Sequence, residues 1–162
     1  MIDRFITLSR RLSLAGAALS ALLVIALVVL ITVEIVGRSF FDYSTMLADE
    51  YSGYFYLAAI YFGLAYTFQE GGHIRIRIVT DRLGRKAKRW ADILSGILLL
   101  AMLLFALVYS WRFMYESYEM EMVSEGVSET PLYLTQIPIV VGLALFIIAV
   151  MAFLLERIRH DQ

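Results

Sequence analysis

Four stretches of the chain, Ser13–Val33, Tyr51–Gln69, Ile93–Trp111 and Thr130–Leu155, contain no Asp, Glu, Lys or Arg. About 20 apolar helical residues cross the roughly 30 Å hydrocarbon core of a bilayer, so all four are long enough to span it. A segment inside lipid must satisfy its own backbone hydrogen bonds, which selects helices. The pattern predicts an all-α integral membrane fold with four transmembrane helices, at about residues 13–34, 50–69, 92–112 and 132–155. The connections are too short for a separate soluble domain, so residues 1–162 read as one membrane domain. Ala15-Gly16-Ala17 resembles a signal-peptide cleavage site. The apolar run continues well beyond the 7–15 residues usual for a signal peptide, which predicts that the first span is retained.

Charge gives the expected orientation. Lys and Arg concentrate in cytoplasmic loops because positive charge resists translocation. Arg4, Arg10 and Arg11 precede the first span, seven basic residues lie in Arg75–Arg89, and Arg157 and Arg159 follow the fourth. Only Arg38 and Arg112 fall on the other side. This bias predicts that both termini are cytoplasmic. The net charge of −1 follows the loops and builds no surface for nucleic acid. With no cysteine, disulfides, thiolate clusters and c-type haem attachment are excluded.

Two short interfacial amphipathic helices are expected. Ile2, Phe5, Ile6, Leu8 and Leu12 form an approximate stripe against Arg4, Arg10 and Arg11, so Met1–Leu12 is either an interfacial lead-in or a frayed tail. In Thr80–Asp92, Leu83, Ala87, Trp90 and Ala91 oppose the basic residues, as in a helix lying on anionic lipid. Gly16/Ser20 and Ala17/Ala21 make small-xxx-small spacings that let another helix approach closely. The second span carries Tyr51, Tyr54, Phe55, Tyr56, Tyr61, Phe62, Tyr66 and Phe68. Phenol groups through the depth of a helix need partners, which suggests burial against another protein; a lipid-facing aromatic helix is the alternative. Thr130-Pro131 resembles an N-cap with proline at the first helical position. Pro138 either kinks the fourth helix or marks its start.

Catalytic chemistry is nearly absent. The two histidines, His73 and His160, lie at the cytoplasmic boundary, and no HExxH, GxGxxG, P-loop or Cys/His metal spacing occurs. These features exclude an enzyme and point to no metal and no cofactor. The sharpest polar feature is Glu34 with Arg38, whose i, i+4 spacing favours an intrahelical ion pair at the outer end of the first helix. Asp49 and Glu50 begin the second span, where acidic side chains complement the helix dipole. A short turn could gather these groups into one cluster that locks the first two helices. Beyond the third span, Glu116, Glu119, Glu121, Glu125 and Glu129 make an acidic outer segment, read either as a solvated loop or as a docking surface.

Glu34-Ile-Val-Gly-Arg38-Ser-Phe-Phe, then Asp49-Glu50-Tyr-Ser, Phe62-Gly63 and Gly71-Gly72-His73-Ile74-Arg75-Ile76 resemble the small membrane subunit of tripartite ATP-independent periplasmic (TRAP) transporters. The motifs cover Glu34 to Ile76; elsewhere the likeness is one of topology. Tryptophans common in the family near Leu47 and Ala58 are missing, and Arg77 stands where an acidic residue is frequent. The resemblance implies a scaffold subunit in the bacterial inner membrane that supports a large multi-span subunit and helps dock a periplasmic solute-binding protein. It also implies carboxylate uptake driven by a sodium gradient, which the large subunit uses. Glu34, Arg38, Asp49, Glu50, Gly63, Gly71 and His73 are then structural or subunit-interface candidates. Glu116, Glu119, Glu121 and Glu125 are docking candidates. The competing function is a self-sufficient four-helix multidrug exporter acting as a dimer, but Glu34 lies too near the end of its helix for the deep carboxylate such proteins use.

Overall fold

The computed structural model describes residues 2–71 and 84–159 and builds them into four helices. These are α1 (Ile2–Phe41), α2 (Ala48–Gln69), α3 (Arg85–Glu119) and α4 (Leu132–Arg159). Helix α1, the Trp90–Glu119 part of α3 and the Leu132–Ile158 part of α4 are long and apolar enough to cross a membrane. Helix α2 has 22 residues, about 33 Å at 1.5 Å per residue, but its tyrosines and small residues make it more polar. Packing partners show that α1 and α3 run one way, α2 and α4 the other. The 42–47 and 120–131 connections share one end of the bundle, the loop end; residues 2, 71, 84 and 159 share the terminal end.

Helix α4 is the centre, since it packs against each of the other three. Its apolar residues face three ways at helical spacing. Gln136 and Leu154 meet Ser117 and Gly96 on α3. Gly142, Phe146 and Phe153 meet Tyr61 and Phe68 on α2, and Leu145 and Glu156 meet Gly16 and Arg10 on α1. Ala149 and Val150 are fully buried between them. Pro138 lies inside α4.

Helix α1 is an edge helix held along one narrow line. Ser9, Ser13, Gly16 and Glu34 are its buried residues, with Ser20 half-buried between them. Intervals of four, three and four residues keep Ser9, Ser13, Gly16 and Ser20 on one face, as in left-handed helix pairs. Ser9 Oγ accepts from Gln69 Nε2 at 2.8 Å, and Ser20 Oγ donates to the Ala59 carbonyl at 2.6 Å. Small residues here let two backbones come close where polar side chains can bond across the gap. The Gly16/Ser20 spacing is therefore an interface, whereas Ala21 of the other small pair is exposed.

Three elements differ from the sequence expectation. The Met1–Leu12 lead-in is not separate: from Ile2 onward it continues into α1, because no proline or glycine interrupts the helix before Gly16. In the Thr80–Asp92 segment, residues 85–92 are the first turns of α3, and residues 80–83 lie outside the described residues. The aromatics of α2 are largely packed within the chain: Phe68 lies edge-on to Phe146 and Phe153, each at 5.4 Å, and Tyr51 packs on Tyr54 and Phe55. Tyr56 is the exposed member. The other seven are half-buried, because α2 sits against both α1 and α4.

Candidate functional site

Polar chemistry gathers at the loop end. Glu34, about two turns before the end of α1, is buried, and four donors converge on its carboxylate. Oε1 accepts from Arg38 Nε at 2.8 Å and from Ser44 Oγ at 2.5 Å. Oε2 accepts from the Thr45 amide at 3.2 Å and from Thr45 Oγ1 at 2.5 Å. A buried carboxylate is tolerated when its oxygens are satisfied in this way. The 42–47 loop is thereby folded back over the end of α1, with Asp42 and Met46 at positive φ (49° and 56°). The i, i+4 spacing revealed Arg38. Ser44 and Thr45 were missed, because a loop that doubles back leaves no periodic signal.

Arg38 is half-exposed, and its Nη2 lies 3.9 Å from Asp49 Oδ2, a loose second contact. The Arg–carboxylate cluster expected from the sequence forms in part: Arg38 meets Glu34 closely and Asp49 loosely, and Glu50 is not a member. Asp49 points outward, and the adjacent Glu50 turns to the other loop. Glu50 accepts from Tyr54 OH and from Ser128 Oγ, both at 2.7 Å. Ser128 Oγ pairs with Thr130 Oγ1 at 2.6 Å, which in turn lies 3.1 Å from Tyr51 OH. Thr130 is thus engaged with α2 instead of capping α4, whose first residue is Leu132. The loop itself closes through a Val123–Pro131 bridge, with Ser124 N donating to Thr130 O at 2.9 Å. Gly126 rests directly on the Glu50 carboxylate, where a Cβ would collide with both oxygens.

Glu34 of α1 and Glu50 of α2 therefore each tie down one loop. Between them lies a cleft of about 650 Å³ edged by Arg38, Tyr43, Asp49 and Val127. Around it Asp42, Glu116, Glu119, Glu121, Glu125 and Glu129 are all exposed, so the loop end presents a negative face. We predict that Glu50→Ala and Gly126→Ala each release the 120–131 loop. Hydrogen exchange in that loop should rise roughly tenfold, with Leu143–Val150 unchanged. Unchanged loop exchange would show that its own backbone bonds suffice.

Two of the remaining sequence candidates are glycines at constrained positions. Gly63 faces Ser20 Oγ, 3.3 Å from where its Cβ would stand, and Gly71 ends α2 at φ 73°, with its amide donating to Phe68 O at 3.2 Å. A left-handed residue after the last helical turn is a common use of glycine. His73 lies outside the described residues. Among the described residues no group of three His, Cys, Asp or Glu side chains could hold a metal, and Glu34 is the only buried ionisable side chain.

A bundle of long apolar helices with its ionisable groups towards the ends defines a membrane protein. More particularly, the chain belongs to the DctQ family, the DctQ component of tripartite ATP-independent periplasmic transporters, whose pattern matches residues 27–160. It is similar to a Haemophilus influenzae protein assigned as a TRAP transporter small permease, 24% identical over 133 residues, covering 82% of this chain and 81% of that protein. It is thus a multi-pass membrane component of a bacterial transporter, not an enzyme. Membership of a tripartite system implies a DctM component and a periplasmic binding protein.

Proposed function

We propose that this chain is the scaffold subunit of its transporter: it braces the large membrane subunit and offers its loop end to the periplasmic binding protein. The observation that carries the proposal is the loop end itself. Two loops are fixed by Glu34 and Glu50, and the rigid surface they make is strongly acidic. In this reading all four helices cross the membrane, the loop end is periplasmic and both termini are cytoplasmic, in keeping with the basic residues of the terminal end. Cysteines placed at Gly84 and Glu125 should then be labelled from opposite sides, Glu125 from the periplasm. Labelling of Gly84 from the periplasm would reverse the orientation.

Carboxylate uptake coupled to a sodium gradient is part of the same proposal, with both the solute and the ion handled by the partners. Support comes from the middle of the bundle, whose buried side chains are apolar or small. Complementary charge acts mainly on association rate and fades as salt screens it. Replacing Glu119, Glu121 and Glu125 by Gln together should therefore raise the binding-protein concentration for half-maximal uptake several-fold at low salt. The maximal rate should change little, and the difference should shrink in high salt. An unchanged half-saturation at low salt would remove the acidic face from docking.

A further inference from the structure

A second cavity lies at the other end of the bundle. It measures about 820 Å³ and sits between the first turns of α1, the last turns of α2 and the last turns of α4. Its lining is divided. Ile6, Leu14, Phe68, Ala149, Ala152 and Phe153 make an apolar floor; Arg10, Gln69, Glu70, Glu156 and Arg157 make a charged mouth. Water or a soluble anion would find polar partners at the mouth, but either would leave the apolar floor unused.

We propose that this cavity is a phospholipid site. Arg10 and Arg157 hold the phosphodiester, Glu70 and Glu156 face a head-group amine, and the upper acyl chain lies along Leu14, Phe68 and Phe153. Arg157 is stacked over the Phe153 ring at 5.3 Å, with one nitrogen 3.2 Å from Asp92 Oδ2, so its guanidinium is held at the edge of the floor. Arg10 Nη2 lies 3.6 Å from Glu156 Oε1. A guanidinium carries five N–H donors, and these contacts occupy one nitrogen of each. Both arginines are substantially exposed, 72% and 42%, Arg10 just before the uncharged stretch of α1 and Arg157 just after that of α4. Basic pockets between membrane helices are recognised lipid head-group sites. Here the mouth carries two cations and two carboxylates, a balance that matches a zwitterionic amine head group better than an anionic one.

The test is native mass spectrometry of the full-length chain in detergent, with phosphatidylethanolamine, phosphatidylcholine or phosphatidylglycerol added. Phosphatidylethanolamine should be retained best. Retention should fall roughly fivefold or more in R10Q/R157Q, and equally in A152F, which fills the floor without touching the charges. R10K/R157K should retain more than the Gln variant, a rescue that a general loss of folding would not give. Better retention of phosphatidylglycerol, or equal retention of phosphatidylcholine, would overturn the amine assignment. Absent retention in the parent chain, or adducts unchanged in both R10Q/R157Q and A152F, would overturn the site.

Discussion

Gly142→Ala is expected to destabilise the folded chain, although alanine is the better helix former by about 0.5–1 kcal/mol. A Cβ at Gly142 would stand 2.6 Å from the carbonyl oxygen of Tyr61, and one at Gly16 would stand 2.7 Å from that of Phe62. These are backbone atoms of α2, which no side-chain rotation can move aside. The helix must shift, and overpacking of this kind costs about 1–3 kcal/mol, enough to outweigh the propensity gain. Gly53 supplies the control: it is also helical, but nothing lies within 4 Å of its Cβ position, so Gly53→Ala should be neutral or slightly stabilising. The two clash sites are consecutive residues of α2, and α1 and α4 also touch each other through Leu145 at Gly16. One outward movement of α2 therefore relieves both. The double variant should cost less than the sum of the singles, by about 0.5 kcal/mol or more. Thermal unfolding of the four proteins in detergent checks both claims. Additive losses would mean that α2 yields locally at each glycine.

The same region shows where the sequence could be read and where it could not. Uncharged stretches of 19 residues or more reveal the helices because lipid imposes length and composition together. Gly16 and Ser20 could be picked out, but as one of two equivalent small pairs. Which pair is buried depends on the direction of Ser9 and Ser13, and these read apart, Ser9 in the amphipathic lead-in and Ser13 at the head of the first span. Gly142 carries no local sign of its role, since its neighbour Tyr61 is distant in sequence. Glu34 and Arg38 announce each other through i, i+4 spacing. Glu50 and Ser128 are 78 residues apart, and only the folded loop end brings them together. Asp49 and Glu50 look interchangeable in the sequence, yet one faces outward and the other is clamped beneath Gly126. The central place of α4 was equally hidden, because a helix apolar on all sides reads alike whether lipid or protein surrounds it.

Glu34→Ala should be the most damaging single change at the loop end, and Arg38→Ala much milder. From spacing alone the reverse seems natural: removing the arginine strands a carboxylate. In the folded chain Arg38 supplies one of four donors, so without it Glu34 still accepts from Ser44 and from both groups of Thr45. Arg38 is also half-exposed, where ion pairs contribute little. Removing Glu34 takes the common acceptor from the Ser44 and Thr45 hydroxyls, the Thr45 amide and the Arg38 guanidinium, and leaves the 42–47 loop without its anchor. Stranded partly buried donors are costly, more so than the mean worth of a hydrogen bond. We expect Glu34→Ala to lower Tm by roughly 5 °C or more and Arg38→Ala by about 1–2 °C. Glu34→Gln should fall between them, since one amide oxygen replaces two acceptors and its NH₂ opposes the remaining donors. Each variant should still insert in the membrane, because the apolar stretches are untouched. A larger loss for Arg38→Ala than for Glu34→Ala would show that the ion pair, not the folded-back loop, holds the end of α1.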